Sequence, residues 1–154
     1  MEIISGVHIA DSTFNCAILT TRFNEFITER LVKGAFEALQ LHQISDDQIQ
    51  VIKVPGAFEL PLIANHLAKA GEFNAIIALG AVIRGQTAHF EYVAGECVKG
   101  LANIALKFDI PVSLGVLTVD TIEQAIERAG TKAGNKGFEA AMTALEMFSL
   151  YNQV

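Results

Sequence analysis

The chain is poor in the residues that several large functional classes require. Cysteine occurs twice, at Cys16 and Cys97, with no Cys-x-x-Cys pair and no multi-cysteine framework, which fits a reducing compartment and excludes a disulfide scaffold. Charged residues make up only 18%, against about 25% in ordinary soluble domains. Eleven bases face seventeen acids, for a net charge of −6, the wrong sign for neutralising a phosphate backbone, so no nucleic-acid partner is expected. Long apolar runs are also missing. The longest, Ala75 to Ile83, ends at Arg84, far short of the roughly 20 residues that span a bilayer, and no membrane segment is expected. Met1-Glu2 opens the chain without a basic region ahead of an apolar core, so no secretory signal is read and a cytoplasmic location is expected.

What the chain has in plenty is apolar surface. Hydrophobic residues are 51% of the total and mean hydropathy is +0.38, which excludes disorder. A chain of 154 residues is about one domain's length, so a single domain over residues 1–154 is expected. Its apolar content exceeds what one small core hides, and a subunit interface would bury the surplus.

Short β-type runs alternate with helical periodicity. Cys16 to Leu19 precedes Ile27, Leu31, Ala35 and Leu39 at helical spacing. Val51 to Val54 precedes a helix over Ala57 to Ala70, with Leu62, Ile63, His66 and Leu67 on one face and Gly71 as C-cap. Ala75 to Ile83 precedes a helix lined by Val93, Cys97, Leu101, Ile104 and Phe108, and Val112 to Thr118 forms a fourth strand. Thr121 to Gln124 reads as a capping box, and Gly130 stops the short helix that it starts. A last helix carries Phe138, Ala141, Leu145 and Phe148. Alternation of this kind predicts an α/β fold: a four-stranded parallel sheet between two helical layers, flavodoxin-like. Ile3 to Ile9 reads as an extra extended segment with no helix joining it to the next strand, which suits pairing with a neighbouring subunit.

Ligands of open parallel sheets bind beyond the carboxyl ends of the strands. Three strand-to-helix junctions stand out there. In Arg22-Phe23-Asn24-Glu25-Phe26 an aromatic and an amide sit at a helix entrance; Asn24 as N-cap with Phe23 as hydrophobic staple is an equally good reading. In Val54-Pro55-Gly56-Ala57-Phe58-Glu59 a Pro-Gly turn leads into a helix whose first turn carries Glu59. That is either a turn plus a dipole complement or a set of donors and one carboxylate suited to a polyhydroxy chain, and the two are compatible. The third, Gly80 to Glu91, runs through Arg84 and Gly85 into a helix capped by Thr87, where free N–H groups would stabilise an anion. His89 lies in that helix's first turn, where the positive dipole end favours the neutral imidazole that accepts a proton. A general acid/base role and a plain surface or capping role both fit it.

Other chemistries lack their residues. Gly-x-x-x-x-Gly-Lys-Ser/Thr, Gly-x-Gly-x-x-Gly and Gly-x-Ser-x-Gly are absent. His89-Phe90-Glu91 matches half of the zinc deaminase signature, but the Pro-Cys-x-x-Cys half is missing, and His8, His42 and His66 show no ligand spacing. No metal is expected. Arg128 to Gly137 gathers Arg128, Lys132 and Lys136 among glycines, a pattern that suits either a capped helix end or a phosphate-ester site.

These residues resemble lumazine synthase, the 6,7-dimethyl-8-ribityllumazine synthase family, which makes the penultimate compound of riboflavin synthesis. The likeness rests on Arg22-Phe23-Asn24, on Val54 to Glu59, on Leu79 to Gly85 with Thr87 and His89, and on Ile126 to Gly137. It implies condensation of 5-amino-6-(D-ribitylamino)uracil with 3,4-dihydroxy-2-butanone 4-phosphate, releasing phosphate and water, with no cofactor. It also implies that Phe23 stacks on the pyrimidine beside Asn24, and that Ala57, Phe58 and Glu59 hold the ribityl chain. Ala81, Val82 and Ile83 would offer backbone to the uracil, while Gly85, Gln86, Thr87 and Arg128 hold phosphate. His89 would move protons, and Lys136 would lie near the pyrimidine. The family assembles as pentamers whose sites lie between subunits, and some members build twelve pentamers into an icosahedral shell that can enclose riboflavin synthase. Leu114 stands where many relatives place a phenylalanine that reaches the neighbouring site.

Overall fold

The computed structural model describes residues 1–8 and 11–154. Strand β1 (Cys16–Thr21) leads into helix α1 (Glu25–Leu41), and β2 (Ile49–Val54) leads through a 3-10 turn (Ala57–Glu59) into α2 (Leu60–Ala70). Then follow β3 (Ala75–Ile83), α3 (His89–Phe108), β4 (Val112–Val119) and α4 (Ile122–Arg128). A small hairpin, β5 (Ala129–Thr131) with β6 (Gly134–Asn135), precedes the last helix, α5 (Lys136–Tyr151).

The strands form one parallel sheet in the order β2-β1-β3-β4. The two central strands are the apolar ones: β1 is buried throughout and β3 in all but its last residue, as a sheet covered on both faces requires. One face packs Ile18, Ile77 and Leu79 against α1, α4 and α5. The other packs Leu19, Ile76 and Ala78 against α2 and α3. The expected three-layer α/β architecture is therefore present.

Glycine sets the closest helix contact. A Cβ on Gly137 would stand 1.9 Å from the Leu31 carbonyl oxygen, so α5 crosses α1 at a distance that no side chain allows. Asn135 fixes the same corner. Its Oδ1 accepts from the N–H groups of Gly137 and Phe138, capping α5, and its Nδ2 donates to the Arg30 carbonyl at 2.9 Å.

The capping box of Thr121 and Gln124 and the left-handed Gly71 cap form as expected. Two local expectations are corrected. Helix α2 begins at Leu60 after a 3-10 turn, so its core face is Leu60, Ala64 and Ala68. Leu62 and His66, expected inward, point to solvent, with Leu62 71% exposed. Helix α3 begins at His89 with Ala88 at the N-cap position, and Thr87 gives only a 3.4 Å contact to the His89 N–H. Within its own chain Met1–His8 forms no strand, which leaves pairing with a neighbouring subunit as the expectation for this segment. It lies on α5: Val7 N–H donates to Ser149 Oγ at 3.2 Å, and Gln153 Nε2 donates to the Ser5 carbonyl at 3.2 Å. The last residue of the expected segment, Ile9, lies outside the described residues.

Candidate active site

The carboxyl ends of all four strands are laced together. Arg22 N–H donates to the Val54 carbonyl at 2.8 Å and Phe23 N–H to Pro55 at 2.9 Å, joining β1 to β2. Arg84 N–H donates to the Val119 carbonyl at 2.8 Å, joining β3 to β4. Between them, Asn24 adopts a left-handed conformation (φ 61°) and sends its Nδ2 to the Ala81 carbonyl at 3.0 Å. Asn24 is therefore the N-cap residue by position, but its amide serves the sheet and not its own helix.

Phe23 does not act as a staple. Its ring lies over Gly56, where a Cβ would meet the ring at 2.6 Å, and it remains 58% exposed. Thr21 Oγ1 donates to the Phe23 carbonyl at 3.3 Å, and Thr28 Oγ1 to the Thr21 carbonyl at 2.9 Å, which pins the turn that presents the ring. Phe58 is similarly exposed, at 59%. Two uncovered aromatics at a strand-end edge cost hydrophobic stabilisation, and they provide flat faces for a ring to stack on.

Glu59 accepts the Gly56 N–H through Oε2 at 3.0 Å. This is the local role read from sequence, and it leaves Oε1 without a hydrogen bond among the described residues. Ala81, Val82 and Ile83 stand at the end of β3, where the ladder with β1 stops at the Thr20–Leu79 pair while the ladder with β4 continues to Ile83–Val119. Their backbone edge toward β1 is consequently unladdered, and among the described residues only the Ala81 carbonyl is engaged there, by Asn24. Gly85, Gln86, Thr87 and His89 follow as an exposed turn and helix start. A backbone N–H array of this kind suits an anion.

Arg128, Lys136 and Leu114 stand apart from this group. Arg128 is half-buried and donates through Nη1 to the Gln124 carbonyl at 3.0 Å, the helix-end role, with Glu127 at 3.8 Å. Lys136 pairs with Glu139 at 2.7 Å. Among the described residues no hydrogen bond or ion pair links Arg128 or Lys136 to the strand-end residues. The hairpin between them flanks a groove of about 550 Å³ with Arg30, Lys33 and Glu37 of α1. Leu114 is 52% exposed near the start of edge strand β4, opposite Ala78, at the far end of the strand from the site.

Two features escaped the sequence reading. Arg84 donates through Nε to Asp120 at 2.8 Å, pairs through Nη1 with Glu91, and sits 4.2 Å above the Phe90 ring. Hydrogen bonding to Arg84 holds the Glu91 carboxyl below its usual range, and the hydrogen bonds to Asp120 and Glu91 raise the guanidinium further above its own. The other feature is the Lys136–Glu139 pair, visible in principle as an i, i+3 spacing. No three His, Cys, Asp or Glu side chains cluster as a metal site among the described residues, and no described helix is long and apolar enough to cross a membrane.

Against known families, the chain matches the family model described as 6,7-dimethyl-8-ribityllumazine synthase over residues 13–152.

Proposed function

Since the chain belongs to the 6,7-dimethyl-8-ribityllumazine synthase family, a family of transferases in riboflavin biosynthesis, we propose that it condenses 5-amino-6-(D-ribitylamino)uracil with 3,4-dihydroxy-2-butanone 4-phosphate. Phosphate and water leave as the lumazine ring closes. The observation that carries this reading is the group at the strand ends. One edge combines an exposed ring on a glycine floor, a carboxylate with a free oxygen, an unladdered strand edge and a helix start behind a free turn.

Each part has a chemical task. Phe23 stacks on the pyrimidine while the free backbone of Ala81 to Ile83 meets the uracil edge. Asn24 holds that backbone in place from the side. Ala57, Phe58 and the free oxygen of Glu59 meet the ribityl chain. The phosphate of the second substrate sits on the N–H groups of Gly85, Gln86 and Thr87. That leaves the butanone carbonyl beside the pyrimidine's amine, where imine formation, loss of phosphate and ring closure need proton transfers that His89 supplies. Holding the two reactants in register is worth up to about 7–11 kcal/mol, and acid/base assistance about 10²–10⁴-fold.

Arg128, Lys136 and Leu114 belong to this chemistry through a neighbouring subunit. They stand away from their own strand ends, and the apolar side chains left uncovered, such as Leu62 at 71% and Leu106 at 85% exposure, give a neighbour something to cover. A cyclic homopentamer in the cytoplasm is the assembly proposed, with the Met1–His8 segment leaving its seat on its own α5 to cross to the next subunit. Residues 1–154 act as one domain in it. The same surfaces are open to higher assembly into a shell of twelve pentamers that encloses riboflavin synthase.

The test is to mix the purified protein with both substrates and a metal chelator, then follow lumazine formation. Acceleration above the uncatalysed condensation is expected. No acceleration by folded protein would overturn the proposal.

A further inference from the structure

The start of α3 has little to hold it locally. Ala88 offers no capping side chain, Thr87 Oγ1 lies 3.4 Å from the His89 N–H, and a Cβ at Gly85 would find nothing within 4 Å. The imidazole of His89 makes no hydrogen bond among the described residues. A group that transfers protons nevertheless needs a defined position, because a 1 Å displacement costs on the order of 10²-fold in rate.

We infer that Arg84 is the positioning residue for His89 in the proposed condensation, clamping the first turn of α3 against the ends of β3 and β4. This inference rests on the proton-transfer role assigned to His89 above. Arg84 immediately precedes the turn Gly85 to Ala88, and its own backbone N–H is fixed to Val119 at 2.8 Å. From there its guanidinium reaches over the turn to the two residues that follow His89. It stacks 4.2 Å from the Phe90 ring and pairs with Glu91, while Nε holds Asp120 beyond the end of β4 at 2.8 Å. One side chain thus ties the entry of the turn, its exit and the adjacent strand.

The planar fork is essential to this geometry. Guanidinium can lie flat on a ring and send separate N–H groups to two carboxylates, whereas an ammonium is a point charge without that plane. The partners are 42%, 53% and 66% exposed at Arg84, Glu91 and Asp120, so the pairs contribute little to overall stability. Their effect falls on position, and loss of the clamp is expected to reduce turnover far more than folding.

The experiment is a double-mutant cycle between Arg84→Met and His89→Ala, read as kcat and KM for both substrates. Arg84→Met alone is expected to lower kcat by about 10- to 100-fold with both KM values within a few fold. It should cost nothing further in the His89→Ala background, because the residue it positions is gone. Arg84→Lys should recover only part of the rate. If Arg84→Met fails to fold, Glu91→Gln replaces it in the cycle, with a smaller loss in the same direction. Equal losses with and without His89 would overturn the inference, and so would a raised KM for the butanone phosphate with kcat unchanged, which would make Arg84 a phosphate contact. If His89→Ala alone leaves kcat unchanged, the role assigned to His89 fails and the inference fails with it. An additive cycle in which His89→Ala is itself slow removes only the clamp.

Discussion

The amide of Asn24 donates to the Ala81 carbonyl at 3.0 Å, so the entrance of α1 is fastened to the stretch of β3 that outruns β1. The residue does this from a left-handed conformation (φ 61°) that asparagine tolerates better than most. Asn24→Ala loses a hydrogen bond worth about 1 kcal/mol and adds backbone strain of about 1–2 kcal/mol. Denaturant unfolding should therefore show a loss of about 2–3 kcal/mol. Asn24→Gly, which escapes the strain, should lose less.

Gly56 makes room for the Phe23 ring. Gly56→Ala places a Cβ 2.6 Å from that ring and should displace it, raising KM for the pyrimidine substrate while the fold remains. Phe23→Ala should raise the same KM about 5- to 150-fold, the equivalent of losing about 1–3 kcal/mol of stacking. Steady-state kinetics with the second substrate saturating checks both variants.

Much of this was legible in the amino-acid sequence. The buried runs of β1 and β3 and the period of α1, α3 and α5 declare themselves, because strands covered on both faces are almost wholly apolar and helices bury one stripe. Helix α2 misleads because two of the three residues on its core face are small, Ala64 and Ala68, while the larger Leu62 stays outside. The β5–β6 hairpin has three residues on one side and two on the other, too few to show any alternation. Asn24 carried an ambiguity that spacing cannot resolve, since its partner Ala81 is 57 residues away. The Arg84 clamp was hidden likewise, with Asp120 lying 36 residues on.

The two thiols should be inert in the folded chain. Burial pushes Cys16 up to about 12 and Cys97 up to about 11, so both remain protonated at pH 8 and neither presents the reactive thiolate. A thiol reagent at that pH should label the native protein slowly and modify both cysteines at once in denaturant. Rapid native labelling would contradict the packing of β1 or α3.

Acid should loosen the start of α3. Hydrogen bonding to Arg84 lowers the Glu91 carboxyl from its usual 4.5. A lowered carboxyl contributes its full stabilisation above the unfolded value and loses it as pH falls through the lowered folded value. The Glu91 arm of the clamp is thus intact at neutral pH and is lost only below about pH 4.5. Glu91→Gln should flatten the acid limb of hydrogen exchange at the first turn of α3, with the difference shrinking in high salt.

His89→Ala should lower kcat by about 10²–10⁴-fold without abolishing turnover, because positioning of the two reactants survives. Arg128→Ala should instead raise the apparent KM for the butanone phosphate. An unchanged KM would remove Arg128 from the phosphate site.

Those two variants also give the most direct test that the site is completed by a neighbour. His89→Ala and Arg128→Ala chains, dissociated together and reassembled, should form mixed rings in which some junctions carry an intact His89 from one chain and an intact Arg128 from the next. At substrate concentrations where both parents are slow, lumazine formation by the mixture should exceed that of either parent assembled alone. A mixture that never rises above the average of its parents, in rings shown to have exchanged subunits, would place Arg128 and His89 in the same chain's site and contradict the shared architecture.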